Sequence, residues 1–186
     1  MTGFRALPSV DQFLLSPMGR ALIDGHGRAA VTAGLRARLD AARAAIPAER
    51  LHRIAEQDST DFDKCLRNID APFVLALGFA APRMDHALAV LSTLCRRPHP
   101  SCVVVGAADV VFAAPSRLAL DLPAGARLSL MPFGRVTGTS EGLRWPIDEV
   151  ELAPAERVGT SNEVTGPVRL ALDGPCLVIL PKEHLP

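Results

Sequence analysis

An α/β chain joined to an all-β region is the fold class that the sequence predicts, and three changes of hydrophobic rhythm predict it. Residues 1–43 are rich in Ala, Arg and Leu and carry apolar positions at helical spacing. Residues 44–106 alternate strand and helix signals, and residues 107–186 break into short runs of period two punctuated by Pro and Gly. The expected architecture is therefore a helical N-terminal segment, a partial three-layer α/β unit and a C-terminal β-sandwich.

In the first zone Val31, Leu35 and Leu39 recur at four-residue spacing with Arg36, Arg38 and Asp40 between them, an amphipathic helix over Ala29 to Arg43 that ends before Pro47. In the second, Thr60 to Ile69 places Phe62, Cys65, Leu66 and Ile69 on one helical face. Ala71 to Phe79 is a short apolar run predicted as a buried strand, Asp85 to Arg96 a helix, and Ser101 to Gly106 a second strand. Two strands are fewer than a parallel sheet normally has. In the third zone Leu118, Leu120 and Leu122 alternate with polar or small residues, as do Leu128 and Leu130 around Ser129, and Val168, Leu170 and Leu172 around Arg169 and Ala171. Cys176 to Leu180 reads as a final buried strand.

Composition narrows the function classes. Apolar residues make up 48% and aromatics 4% of the 186 residues, with no Tyr, so the core must be built from Leu, Val, Ala and Ile. Lys and Arg equal Asp and Glu at 20 each, and a zero net charge argues against a broad nucleic-acid surface. Cys65, Cys95, Cys102 and Cys176 show no C-x-x-C spacing, so neither a zinc site nor a disulfide framework is expected. Free thiols fit a reducing compartment. The start of the chain lacks a basic segment followed by a long apolar run, and no stretch approaches ~18 uninterrupted apolar residues. A cytoplasmic protein without membrane contact is the expectation.

Chemistry concentrates in three polar clusters. Gln57-Asp58-Ser59-Thr60-Asp61-Phe62-Asp63-Lys64 opens the first helix of the α/β zone. Thr60 as N-cap, with Asp61 and Asp63 in the first turn, is ordinary helix initiation. Gln57 and Asp58 precede the cap, however, and Lys64 follows one turn in, a set that can bind phosphate and Mg²⁺. Gly78 to His86 lies where the first strand ends and the next helix begins, the position at which α/β sheets bind ligands. There Asp85 could equally be an N-cap with Arg83 as its partner. The third cluster is Gly142-Leu143-Arg144-Trp145-Pro146 with Gly159-Thr160-Ser161-Asn162-Glu163. A core anchor is the commoner fate of a single Trp, and Thr160 to Glu163 could be a turn.

Taken together and in this order, the clusters resemble thiamine pyrophosphokinase (thiamine diphosphokinase) over about residues 44–186. Members of that family carry Gln-Asp-x-Thr-Asp-Phe-x-Lys, then a Gly-rich Arg-x-Asp-His segment, then Gly-Leu-x-Trp and Thr-Ser-Asn-Glu. The matching segments here are Gln57 to Lys64, Gly78 to His86, Gly142 to Trp145 and Thr160 to Glu163. The resemblance implies a nucleotide-binding α/β unit at 44–106, a thiamine-binding β-sandwich at 107–186, and transfer of the pyrophosphoryl group of ATP to thiamine with release of AMP. It implies Asp61, Arg83 and Asp85 as catalytic residues, Gln57, Asp58, Thr60, Lys64 and His86 as contacts to ATP, and Asp58, Asp61 and Asp85 as ligands of Mg²⁺. Trp145 would lie against the cationic thiamine, with Thr160, Ser161 and Asn162 beside it and the last two bonding its pyrimidine.

The chain departs from the family pattern at Ala81-Pro82, where a second glycine is expected, and no acidic Gly-Asp-x-Asp-Ser type segment occurs before Gln57. Instead, about Phe4 to Arg43 resembles the N-terminal helical segment of bacterial selenocysteine synthase, through Arg5 to Leu14, Gly27-Arg28 and Leu35 to Asp40. Two further readings follow: a non-catalytic thiamine-binding or assembly protein, and an RNA-associated module that the zero net charge does not favour. The resembled family also implies a homodimer, which would cover apolar edges of a two-strand α/β zone. Light scattering at micromolar concentration should therefore give twice the 19.8 kDa chain mass; a stable monomer would contradict it.

Overall fold

The computed structural model describes residues 10–50, 54–80, 83–96 and 101–185. The first ten-residue match to a helical segment thus lies partly outside the described residues, as do Ala81 and Pro82. The chain forms two compact units, Met1–Glu56 and Gln57–Pro186.

The first unit holds α1 (Val10–Leu15), α2 (Pro17–His26) and α3 (Arg28–Ala44). Ser16 caps α2: its hydroxyl accepts the Gly19 N–H at 3.0 Å, and Pro17 occupies the first turn, where its missing N–H costs nothing. The helix predicted over Ala29 to Arg43 is α3, and its positions Val31, Leu35 and Leu39 are half-buried.

The second unit contains α4 (Asp61–Asn68), β1 (Val74–Leu77), α5 (Met84–Arg96), β2 (Cys102–Val105) and β3 (Asp109–Ala113). After them come β4 (Arg117–Leu120), β5 (Arg127–Pro132), β6 (Thr137–Leu143), β7 (Gly159–Asp173) and β8 (Cys176–Pro181). The two strands expected of the α/β zone are present and parallel, with Val74 opposite Cys102 and Leu77 opposite Val105, joined by α5. Helices α4 and α5 cover one face of this region through Phe62, Leu66, Val90 and Leu94, which pack on Ala76, Cys102, Val104 and Leu177.

Two expectations change. First, β1 is not buried: Ala76 alone faces the helices fully covered, while Phe73, Leu75 and Leu77 are 52%, 47% and 51% exposed. The strand lies at the end of the sheet, and alternate side chains point away from α4 and α5. Second, the strands predicted as a sandwich belong to one continuous curled sheet that includes β1 and β2, in the order β1-β2-β3-β8-β5-β7-β4, with β6 also on β7. Antiparallel pairing of β2 with β3 carries the α/β zone directly into the β zone. The curl arises in β7, whose 15 residues exceed what a twisted sheet keeps straight. Its first part pairs with β5, and its second part pairs with β6 from Val164 onward and with β4 over Val168 to Ala171.

The concave side encloses Leu128, Leu130, Val136, Leu143, Val164, Val168, Leu170 and Val178. The four cysteines are free thiols. Burial pushes Cys95 and Cys102 up to about 11 and Cys176 to about 12, so all three stay protonated near neutrality. Among the described residues no helix is long and apolar enough to cross a membrane. Leu128 is fully buried at the meeting of β5 and β7, so Leu128→Ala should destabilise the chain by roughly 2–5 kcal/mol, read as a lower midpoint in urea with an unchanged slope.

Candidate functional site

Helix α4 begins as its sequence predicts. Thr60 is extended (φ −74°, ψ 160°), and its hydroxyl accepts the Asp63 N–H at 3.2 Å. Asp63 is nearly fully buried, and its carboxylate accepts from Arg67 Nε at 3.2 Å and from the Arg96 guanidinium at 3.3 Å. This acid therefore ties α4 to α5, because a buried carboxylate needs such partners. Asp61, by contrast, is exposed and Lys64 only half-buried.

Phe62 and Phe79 bring the end of β1 against α4, with ring centroids 4.9 Å apart. Between them Gly78 turns the chain at φ 83°, a conformation that favours glycine. The result is a cleft of about 390 Å³ lined by Gln57, Thr60, Asp61, Lys64, Gly78 and His86, with Ser59, Phe62, Phe79, Ala89 and Val90 completing its walls. Four of the five residues expected to contact ATP, together with Asp61, thus share one concavity at the carboxyl end of a strand. Asp58 is exposed outside this lining.

Arg83 and Asp85 precede and open α5. They form a two-pronged pair, Arg83 Nε to Asp85 Oδ1 at 3.2 Å and Arg83 Nη2 to Oδ2 at 2.6 Å. The guanidinium holds the Asp85 carboxyl below the usual carboxylate range, and the carboxylate raises the Arg83 guanidinium in turn. Among the described residues no three His, Cys, Asp or Glu side chains gather closely enough to hold a metal ion. Asp58 stands before α4, Asp61 in its first turn, and Asp85 is occupied by Arg83 on another helix. The carboxylates expected to bind Mg²⁺ do not form a donor set as they stand.

A second constellation is built on the curled sheet. At the end of β6 Gly142 adopts φ 74°, and a Cβ there would meet the Pro167 carbonyl oxygen at 2.3 Å, so only glycine fits. Beyond it the Arg144 N–H donates to the Glu163 carbonyl at 2.9 Å, and the chain turns outward at Trp145. Trp145 is no core anchor: its residue is 54% exposed. What fixes it is Asn162, 6% exposed, whose Oδ1 accepts the Trp145 N–H at 3.2 Å and the Glu163 N–H at 2.9 Å. Asn162 Nδ2 donates to the Trp145 carbonyl at 2.6 Å.

Thr160 to Glu163 form the start of β7, so the turn reading does not hold. Ser161 nonetheless departs from strand geometry, with φ 60° at a non-glycine residue. The buried Ser129 hydroxyl accepts its N–H at 2.9 Å and compensates part of that strain. Thr160 and Ser161 are exposed beside the Trp145 turn's anchor. Sequence reasoning missed Ser129, Arg144 and Glu163. Arg144 and Glu163 lay inside the motifs, and their opposite charges were the available signal; Ser129 is hidden between two leucines.

Residues 4–43 match the family described as selenocysteine synthase N terminal, and residues 117–177 match thiamin pyrophosphokinase, vitamin B1 binding domain. No curated protein matches the chain. Among solved structures, the thiamine pyrophosphokinase of Bacillus subtilis is similar with a TM-score of 0.60 at 18% identity, covering 78% of this chain and 71% of that one. The thiamin pyrophosphokinase of Geobacillus thermodenitrificans gives 0.56 at 18% identity over 70% and 66%. A Lactobacillus plantarum protein gives 0.58 at 19% identity over 68% and 64%, so this chain spans less than two thirds of the last two. A thiamine-pyrophosphokinase-like fold, with a distinct short N-terminal region, is therefore established.

Since three hydrogen bonds converge on the Asn162 amide, Asn162→Ala should destabilise the chain by roughly 1–3 kcal/mol. It should also shift the emission of Trp145, the single Trp; loss of stability without a spectral change would contradict its role at that turn.

Proposed function

We propose that the chain binds thiamine on its curled sheet and serves it as acceptor for the pyrophosphoryl group of ATP, the thiamine diphosphokinase reaction. The observation that carries this reading is the Trp145 platform: an exposed indole whose backbone is fixed by a buried Asn162, within the segment that matches the vitamin B1 binding domain. An exposed ring held from behind is suited to a flat, positively charged ligand. Thr160 and Ser161 add polar contacts for its pyrimidine.

The nucleotide would occupy the cleft at the end of β1. Thr60 and the first turn of α4 present backbone N–H groups, and Lys64 places an ammonium beside them, which together position and neutralise phosphate. Gln57 and His86 supply further hydrogen bonds, and Asp61 lies at the same mouth. Arg83 and Asp85 would orient the reacting hydroxyl. Asp85, kept ionised by Arg83, acts there as a fixed acceptor and not as a proton store. A cytoplasmic homodimer remains part of this proposal, by family resemblance.

A second reading, thiamine binding without transfer, has one observation in its favour. Asp85 is already paired with Arg83, and among the described residues Asp58, Asp61 and Asp85 do not gather into one group of three ligands.

Two measurements separate these readings. Calorimetry should show thiamine binding that Trp145→Ala weakens by roughly 0.5–2 kcal/mol; an unchanged affinity would remove the platform from both readings. With ATP, Mg²⁺ and thiamine supplied, thiamine diphosphate and AMP should form, and Lys64→Ala and Asp85→Asn should each slow their formation. Product formation no faster in the wild type than in Asp85→Asn would leave binding alone as the function.

A further inference from the structure

The open face of Trp145 is not wholly open. The Arg144 guanidinium carbon stands over the indole, 5.1 Å from the ring centroid. Arg144 Nη1 also donates to Glu163 Oε2 at 2.9 Å. Successive residues of β7 therefore hold the two halves of the device: Asn162 grips the Trp145 backbone, and Glu163 grips the cation resting on its ring. No role for Arg144 follows from the family resemblance or from the cleft at the end of β1.

A guanidinium above an indole satisfies the negative face of the ring just as a ligand cation would. A second positive group must then either displace Arg144 or stack on the opposite face, where the two charges stand within the ~8–10 Å over which salt screens them and still repel. A neutral flat ring meets neither penalty. Displacement is feasible because both side chains of the Arg144–Glu163 pair are substantially exposed, at 58% and 41%, and such pairs are weak. After displacement Glu163 can still hold the guanidinium.

We infer that Arg144 is a specificity-determining residue, a resident cation on Trp145 that lowers affinity for positively charged flat ligands relative to neutral ones of the same shape. For thiamine this rests on the reading that Trp145 contacts the vitamin. For flat cations in general it rests on the Arg144 geometry alone.

The test uses the full chain and the fluorescence of its single Trp. Arg144→Met keeps the apolar stem and removes the charge, and Arg144→Gln serves as a second variant at this exposed position. The probes are 1-methylnicotinamide, a flat cation, and acrylamide, a neutral quencher. Relative to acrylamide, quenching by 1-methylnicotinamide should rise about two- to fivefold in both variants. Thiamine affinity should rise by a similar factor, while the neutral 4-amino-5-hydroxymethyl-2-methylpyrimidine should bind equally to all three proteins. An unchanged or falling quenching ratio in both variants overturns the inference, whatever thiamine does. A rising ratio with no thiamine binding by any of the three proteins supports it and removes the thiamine reading. A rising ratio with unaltered thiamine affinity supports it for flat cations and removes Trp145 as the thiamine contact.

Discussion

Strand β7 carries the second unit. Its 15 residues are hydrogen-bonded first to β5 and then to β4 and β6, so one continuous backbone closes the curl of the sheet. The same strand supplies side chains to both sides of its own surface. Val164, Val168, Leu170 and Leu172 enter the core, while Thr160, Ser161, Asn162 and Glu163 form the support of Trp145. A shift of β7 by one residue would turn Val164, Val168, Leu170 and Leu172 away from the core, because strand side chains alternate faces. The packing of the core and the placement of the candidate ligand platform thus depend on one strand, and the irregularity at Ser161 falls within its pairing with β5, where the register shifts between Leu128 and Leu130.

The cleft at the other end of the unit depends on a different device. There the buried Asp63 pairs with Arg67 of its own helix and with Arg96 of α5, which joins the two helices, and Phe62 meets Phe79 across the mouth. With these inward residues occupied in packing, Asp61 and Lys64 are left facing the concavity. The division of labour between neighbouring acids, one structural and one available, is set by helical geometry: positions 61 and 63 lie on different faces of α4. The fold is similar to that of solved thiamine pyrophosphokinases, the match to the vitamin-binding segment includes Trp145, and among the described residues no three potential metal ligands gather.

Much of this was legible in the sequence. The helices α3, α4 and α5 show through apolar spacing and through the cap at Thr60, and β2, β5 and β8 through apolar runs bounded by turn residues. Strand β6 was invisible because Thr137 to Gly142 are polar or small and its side chains are mostly exposed, leaving no hydrophobic alternation. Strand β3 was overlooked because Val110 and Val111 follow one another, as in a strand covered on both faces. The sandwich expectation failed for a related reason: period-two patterns report which side chains are inward, but not which strands share hydrogen bonds. Motif order located Trp145 and Asn162, yet Asn162 bonds the Trp145 backbone, a contact between β7 and the bend after β6 that spacing cannot reveal.

The pairing order also bears on how the chain acquires its shape during synthesis. Strand β8 lies between β3 and β5, with Val111 and Ser129 both opposite Ile179. Until those residues have left the ribosome, the parallel pair and its helices have no hydrogen-bonded link to the curled sheet through that route. Both regions must wait, side by side, with unpaired strand edges, and closure joins segments far apart in the chain, a topology that folds slowly. Occupation of those waiting edges by other nascent chains is the main hazard of such a delay. The position of a single late strand therefore sets when the two regions can join.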